Sequence, residues 1–476
     1  MTIVAASTAT RLTLIGAGPV GALLALVLAR RGFDVDVWER RADMRRHDIP
    51  AGRSINLAVS TRGLHALHAV DLDDQVLASS VPMRGRMMHA ADGALSFLPY
   101  GRDASEAIHS MSRADLNRRL MTAAEATGRV KIRFQQRLLH YDFDTQTAHF
   151  RSDDDGHLSE VAAPLVFGSD GSASALRTAM AQMADCAAQQ HTLDSGYKEL
   201  TIPPATGDGF GDNGQFRLDP NALHIWPRGR FMLIALPNRD GSFTCTLFLP
   251  FVAPNGGPSF ESLHNAAEGE AFFARWFPDA LPLVPAMGEA LQAAPLGHMV
   301  TVRAWPWSRD GVLLVGDAAH AIVPFFGQGM NCGFEDCMVL DALLADAGAN
   351  PDWPRLMATF AQQRKPDTEA IADMALENFA EMRDRVADPK FLLQRAVEAE
   401  LQKRHPATYR SRYQLVTFSR VPYRVALAAG QRQAAVLEAL CQQVDHPDQV
   451  DWSHADSLVH TQILPFLREH GALPTS

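Results

Sequence analysis

The stretch that decides the fold is Leu12-Thr13-Leu14-Ile15-Gly16-Ala17-Gly18-Pro19-Val20-Gly21, followed by the apolar run Ala22 to Arg30. Leu12 to Ile15 is a short buried-strand pattern, and Ala22 to Arg30 is helical and apolar, so the three glycines stand on a strand-to-helix turn. Each glycine has its own task there. Gly16 permits the tight turn, Gly18 lets a pyrophosphate approach the backbone, and Gly21 lets helix and strand pack closely, while the helix N-terminus offers unpaired N–H donors to phosphate. A second strand, Asp34 to Trp38, ends at Glu39. That carboxylate stands about 20 residues beyond the glycines, where it accepts a ribose hydroxyl and repels a phosphorylated ribose. The turn therefore selects FAD or NAD over NADP.

Leu12 to Ala29 is also an uncharged stretch of 18 residues, near the lower limit for a membrane helix. Three glycines and a proline in its first half make poor helix, and Arg30-Arg31-Gly32 closes it where a nucleotide-binding helix ends, so the membrane reading is set aside. Met1 to Thr10 carries no basic residue and no cleavage site follows a separate apolar core, which argues against a signal peptide. A cytoplasmic protein is the expectation.

Two later motifs complete the first. Val312 to Val315 reads as a buried strand, and Gly316-Asp317-Ala318-Ala319-His320 follows it. Gly168-Ser169-Asp170-Gly171 likewise follows the apolar Leu165-Val166-Phe167. Asp317 just past a strand end can accept a hydrogen bond from a polyol; NAD has no free polyol, whereas FAD carries a ribityl chain. A helix expected over roughly Cys332 to Leu344 begins after Gly327-Gln328-Gly329-Met330-Asn331, and its positive end can face the flavin pyrimidine. The three motifs together select FAD.

The remainder divides by pattern. Residues 1–70, 106–180 and 300–345 are expected to form one discontinuous nucleotide-binding domain. Residues 71–105 and 181–299 are expected to form an inserted β-sheet domain for the substrate, with runs such as Phe231 to Leu236 and Phe243 to Leu249 set apart by Pro-Asn-Arg-Asp-Gly turn chemistry. Residues 346–476 read as helical, most clearly at Leu356 to Arg385 and Gln431 to Val444. The fold class is thus α/β, a Rossmann-type domain with an inserted sheet and a C-terminal helical region. A chain of 476 residues with 47% hydrophobic content buries a large core. Net charge of -10 argues against nucleic acid as a partner, leaving a small molecule. Five cysteines without a CxxC pair support neither a disulfide framework nor a zinc site, and no metal is expected.

Gly16-x-Gly18-x-x-Gly21, Asp170-Gly171 and Gly316-Asp317 resemble the three signatures of the single-component aromatic hydroxylases that use FAD and NADPH, with the para-hydroxybenzoate hydroxylase-like fold. Further strings resemble the kynurenine-hydroxylating branch of that family: Gly52-Arg53-Ser54-Ile55-Asn56, Met83-Arg84-Gly85-Arg86-Met87, Pro99-Tyr100-Gly101-Arg102, Gly196-Tyr197-Lys198-Glu199-Leu200, Asn221 to Pro227, Val323 to Asn331 and Met374 to Asn378. The resemblance implies hydroxylation of L-kynurenine beside its ring amine, through a flavin C4a-hydroperoxide formed with NADPH and O2. Under it Glu39 takes the adenosine ribose, Arg113 reaches the FAD, Asp317 holds the ribityl chain and Asp170 serves both FAD and NADPH. Arg40, Arg53, Gly329, Met330 and Asn331 are implied as further cofactor contacts.

Arg86, Tyr100 and Asn378 match the family's carboxylate-binding residues, and a guanidinium with a phenol suits that task. On one strand Arg84 and Arg86 would share a face, so the alternation alone leaves both open; the resemblance selects Arg86. The ring is expected to lie among Leu223, Ile234, Leu236, Phe248, Pro324 and Phe325, closed by Tyr413. No side chain is expected as a catalytic nucleophile or base, because the chemistry is carried by the flavin, and His320 reads as structural. The pattern departs from the family at one point: some bacterial kynurenine hydroxylases carry histidine where Phe326 stands, and Phe326 cannot donate a proton. Ile463 to Ser476 lacks the apolar anchor of the membrane-bound relatives. Oligomeric state stays open, with a homodimer the form to test. Two rival readings are another aromatic substrate, such as anthranilate or a hydroxybenzoate, and an FAD-binding sensor without turnover.

Overall fold

The computed structural model describes residues 11–46, 56–103, 105–205, 214–253, 256–381 and 388–473. Its organising element is a six-stranded sheet in the order Ser308–Arg309, Val312–Leu314, Val166–Gly168, Arg11–Ile15, Asp34–Trp38, Val130–Arg133. All neighbours are parallel except the short edge pair Ser308–Arg309 with Val312–Leu314. Register explains why three motifs so far apart in sequence act together. Ile15 pairs with Gly168 and Gly168 with Leu314, so the chain leaves all three strands at one level, and Gly16, Ser169 and Val315 emerge side by side. That is the carboxyl end of a parallel sheet, where open α/β folds bind ligands.

The helix Pro19–Arg30 is buried from Gly21 to Ala29, which accounts for its uninterrupted apolar sequence: it runs between the sheet and the helices Arg113–Ala126 and Gly329–Ala347. Among the described residues no helix is long and apolar enough to cross a membrane. Gly16 has φ +97°, and a Cβ on Gly21 would lie 2.0 Å from the Gly16 carbonyl oxygen, so the close packing expected of the third glycine is present.

A seven-stranded sheet stands opposite, in the order Gly297–Trp305, Ala187–Ile202, Phe243–Pro250, Phe231–Pro237, Ala222–Arg228, Gly85–His89, Leu95–Pro99. One face packs on the helices Ala266–Trp276 and Met287–Ala293, burying Trp226, Leu233, Phe243, Cys245 and Leu247. The other faces the nucleotide-binding unit. With both faces covered, these strands read as continuous apolar runs rather than as an alternation. The strand Gly297–Trp305 pairs with Ala187–Ile202 and so crosses the boundary expected at residue 300.

Local differences from the sequence expectation have physical causes. Met83 to Met87 is not one strand: Val81–Met83 joins a small sheet with Ile108–Ser112, and Gly85–His89 joins the large one. The break falls at Arg84, so Arg84 and Arg86 do not share a face. Arg84 is exposed and donates to Asn221 Oδ1 at 2.7 Å. Gly85 is needed at the junction, where a Cβ would lie 2.4 Å from the Phe97 ring. The helix expected at Cys332 spans Gly329–Ala347, so Gly329, Met330 and Asn331 form its first turn. The two C-terminal helices expected from the sequence run Trp353–Ala380 and Tyr423–Cys441, with Pro389–Arg404 between them; residues 382–387, at the end of the expected first helix, lie outside the described residues. The first of these starts at Asp352, whose side chain caps Arg355 N–H.

Candidate flavin and substrate site

A cavity of about 300 Å³ lies between the carboxyl end of the six-stranded sheet and the open face of the seven-stranded one. Its first wall is mostly backbone. Gly18, Pro19 and Val20 come from the first turn, Ser169 and Gly171 from the second motif, Val315 and Asp317 from the third, and Gln328, Gly329 and Met330 from the start of the helix Gly329–Ala347. Two helix N-termini point here without a side-chain cap and without an acidic residue in the first turn. Their orphan N–H groups and positive ends are therefore free for an anion. A Cβ on Gly18 would meet nothing within 4 Å, so the backbone there faces open space where a phosphate can approach. Arg113, at the start of its helix, adds a cation to the same wall. A phosphate-bearing flavin dinucleotide fits this donor set: uncapped N–H groups, one guanidinium and the Asp317 carboxylate beside them.

The second wall is built of side chains in alternation. Cross-strand partners share a face, and the pairs Ile225 with Ile234, Ile234 with Thr246, and Tyr197 with Phe248 all line the cavity. Leu223, Leu236 and Thr244 continue the same face, and Pro324 and Phe325 close it from the loop before the helix. Phe325 packs between Phe248 and Phe379 at ring centroid distances of 5.2 and 4.5 Å.

At the far end of this wall stand Arg86, Tyr100 and Tyr413. The Arg86 guanidinium carbon lies 5.5 Å from the Tyr100 ring and 4.9 Å from the Tyr413 ring, and the two rings stack at 5.1 Å. Burial pushes both phenols up, so they remain neutral. The Nε of Arg86 and the hydroxyl of Tyr100 are inaccessible, while Arg86 as a whole stays half-buried and lines the cavity. The charged and hydrogen-bonding neighbours of Arg86 among the described residues are Tyr100 and Tyr413, with no acidic side chain, and a half-buried cation without a counter-charge is costly. This end is complementary to a carboxylate on a ligand.

Other expected residues support the cavity from behind it. Glu39 accepts from Ala17 N–H at 2.8 Å and from Arg41 N–H at 2.9 Å, which ties the second strand end to the glycine turn. Arg40 beside it is exposed. Asp170, between the cavity-lining Ser169 and Gly171, accepts through one oxygen from Ala175 N–H at 2.8 Å at the start of the helix Ala175–Met180, its other oxygen is buried without a partner, and burial raises its pKa. Asn331 is fully buried: its Oδ1 accepts from Ser60 N–H and its Nδ2 donates to the carbonyls of Ala58 and Gly327. Asn378 donates to the Phe325 carbonyl at 2.6 Å and so fixes one side of the ring pocket. Arg53 lies outside the described residues.

Sequence reasoning missed several cavity residues: Met83, Ile108, Ile225, Met232, Thr244, Thr246 and Thr417. The period of two was a usable signal for Ile225 and Met232, which lie two residues from Leu223 and Ile234. No local signal marked Ile108 or Thr417, which arrive through tertiary contact.

Residues 9–199 and 283–375 match the FAD binding domain family model. The chain is 51% identical over 459 residues to "Kynurenine 3-monooxygenase" of Myxococcus xanthus, with 96% of each chain covered. It is 46% identical to the protein of the same name from Stenotrophomonas maltophilia, over 95% of this chain and 97% of that one. Among solved structures it resembles 2-methyl-3-hydroxypyridine-5-carboxylic acid oxygenase at a TM-score of 0.62 and 20% identity, covering 80% of this chain and 95% of that one. It also resembles Pseudomonas aeruginosa PqsL, solved with 2-aminobenzoylacetate, at 0.61 and 19%, covering 79% and 98%. The structural likeness shows the fold, and the two full-length sequence matches narrow it. The chain belongs to the FAD-binding-domain flavoproteins and, among them, to the kynurenine 3-monooxygenase family.

Proposed function

We propose that this protein hydroxylates the ring of L-kynurenine to 3-hydroxy-L-kynurenine, using NADPH and O2 with FAD as its bound cofactor. The observation that carries the reading is Arg86: a cation enclosed by two phenols, without an acidic partner, at the end of an apolar cavity whose opposite wall suits a flavin dinucleotide. L-Kynurenine has the matching shape. Its flat aminophenyl ketone suits the face formed by Leu223, Ile234, Leu236 and Phe248, and its amino-acid carboxylate suits the Arg86 guanidinium, flanked by the neutral Tyr100 and Tyr413.

FAD supplies the redox chemistry when bound, accepting a hydride from NADPH and passing one oxygen atom of O2 to the ring while the other leaves as water. The chain's own residues bind, orient and exclude water. Gly18 with the uncapped turn at Pro19, and Arg113, would hold the dinucleotide; Asp317 would take the ribityl hydroxyls; the positive end of the helix Gly329–Ala347 would favour negative charge on the flavin ring. Arg86 anchors one end of the substrate and the apolar wall sets the plane of its ring, so the carbon beside the aniline nitrogen is held in one place. Pro324, Phe325 and Phe326 shield that place from water, which suppresses wasteful loss of activated oxygen. Among the described residues we assign 11–83, 106–180 and 306–345 to the nucleotide-binding unit, because Leu72 and Val76 join its core and Val81–Met83 pairs with Ile108–Ser112, and 84–103 with 181–305 to the substrate sheet. The cytoplasm, which supplies NADPH, is the compartment this reading implies.

The test is NADPH oxidation by the FAD-loaded protein with and without L-kynurenine, with the product identified by mass. Stimulated oxidation and a product heavier by one oxygen are expected. Stimulation that yields only hydrogen peroxide, or activity only with anthranilate or a hydroxybenzoate, would contradict the substrate; no oxidation with any aromatic would leave a flavin-binding protein without turnover.

A further inference from the structure

Beneath the third glycine motif lies a cluster of charges that the proposed reaction does not use. Asp336, on the helix Gly329–Ala347, is fully buried, and its neighbours His320 and Arg364 are 6% and 3% exposed. One carboxylate oxygen of Asp336 accepts from Arg364 Nε at 2.8 Å. The other accepts from His320 Nε2 at 2.6 Å and from the backbone N–H of Gly316 at 2.9 Å. Arg364 also donates to Glu335 at 2.8 Å, and Glu335 in turn pairs with the buried Arg62. His320, Cys332 and Asp336 bring three ligand atoms within 4.8 Å of one another. A metal reading fails, because the Arg364 guanidinium stands against both the carboxylate and Cys332 Sγ and would repel a cation.

What the carboxylate holds is the informative part. Gly316 has φ +57° and ψ -142°, a backbone conformation that side-chain-bearing residues rarely adopt, and it persists only where its surroundings impose it. Its carbonyl already accepts from Ala319 and His320 N–H at 2.9 Å. The next residue is Asp317, on the cavity wall. Gly333 lets the helix come close enough for this contact: a Cβ there would lie 2.5 Å from Val20 and 3.5 Å from the Gly316 Cα.

We infer that Asp336 is a positioning residue for the flavin: it fixes the Gly316 backbone and thereby sets where Asp317 stands relative to the glycine turn. His320 and Arg364 keep the carboxylate ionised and aimed, while Glu335 balances the remaining charge and bonds Arg62 and Arg364 rather than any group of the cavity wall itself. The inference rests on the FAD reading of the site. It explains why a histidine three residues past Asp317 is fully engaged yet takes no part at the cavity wall.

The control is built into the cluster, because Asp336 and Glu335 are adjacent carboxylates on the same arginine and only one reaches Gly316. The experiment removes FAD from the full-length protein, rebinds it, and follows quenching of flavin fluorescence in wild type, Asp336→Ala and Glu335→Ala, with the melting midpoint measured in each. Both variants are expected to melt earlier. Asp336→Ala is expected to weaken FAD at least tenfold and to alter the bound-flavin absorption bands, with Glu335→Ala within threefold of wild type. Equal weakening in the two variants, or none in Asp336→Ala, overturns the inference and leaves a structural charge cluster. If Asp336→Ala is not recovered folded, Asp336→Asn serves: its amide can satisfy the Gly316 side or Arg364 but not both, so FAD is expected to weaken at least threefold, and an unchanged affinity overturns the inference. A wild-type protein that binds no FAD overturns the FAD reading as well.

Discussion

The two walls of the cavity are made of different material. The wall proposed to face the flavin is backbone at strand ends and helix starts, with glycines where a side chain would intrude, and its geometry is held by hydrogen bonds such as Asn117 Nδ2 to the Ala17 carbonyl at 2.9 Å. The wall proposed to face the substrate is a sheet surface lined by alternate side chains, with one cation at its end. Backbone can recognise a phosphate, which every such cofactor shares. Only side chains can tell kynurenine from another aromatic. Damage to the first wall should therefore abolish cofactor binding whatever the substrate, and damage to the second should spare the cofactor.

The largest effect is expected at Gly21. Gly21→Val places atoms where the Gly16 carbonyl already lies, 2.0 Å from an ideal Cβ, and the turn must open. The purified variant should carry no FAD, and a normal flavin content would break the comparison at its first wall. Next comes the substrate sheet. Ile234→Ala removes apolar contact on the wall proposed to face the ring, and since a single missing methylene costs about 1–3 kcal/mol in a specificity constant, a loss on the order of tenfold or more is expected. FAD affinity should not change, and equal losses in FAD and kynurenine binding would merge the two walls.

A smaller effect is expected from Glu199, which pairs across from Thr246 and so lies on the cavity side of the sheet. Its Oε1 is inaccessible and unbonded, and burial pushes its pKa up to about 7, with Arg113 opposing. A carboxyl raised on folding takes up its proton more readily in the native state, so its contribution to stability is present below its unfolded value and lost as pH rises towards 7. The melting midpoint of wild type should fall relative to Glu199→Gln between pH 5 and pH 8. A constant difference across that range would show that Glu199 keeps an ordinary pKa.

The same contrast decides what could be read from the sequence. Gly16, Gly18, Gly21 and the strand ends at Gly168 and Val315 were legible because backbone geometry forces residue choice locally. The runs Phe231 to Leu236 and Phe243 to Leu249 gave strands but not faces, since both faces are buried and apolar, and the resemblance rather than the pattern singled out Ile234, Leu236 and Phe248. Arg84 and Arg86 could not be separated for a related reason: the chain changes sheets between them, and only Gly85 hinted at it. The backbone contacts of Asp336, Asn331 and Asn378 left no mark in the sequence pattern; the resemblance named Asn331 and Asn378, but for a cofactor contact and a carboxylate. Each holds a backbone group, from 4 residues away for Asn331 with Gly327 to 273 for Asn331 with Ala58, and tertiary contact rather than local pattern decides most of these bonds.

The most direct test of the account is Arg86→Met, with FAD affinity and the KM and kcat for L-kynurenine measured on the same preparation. Truncating one partner of a buried charge pair costs about 2–5 kcal/mol, so kcat/KM should fall on the order of 100-fold with FAD affinity within twofold of wild type. A near-normal kcat/KM for L-kynurenine would contradict the assignment of its carboxylate to Arg86, and with it the claim that this wall selects the substrate.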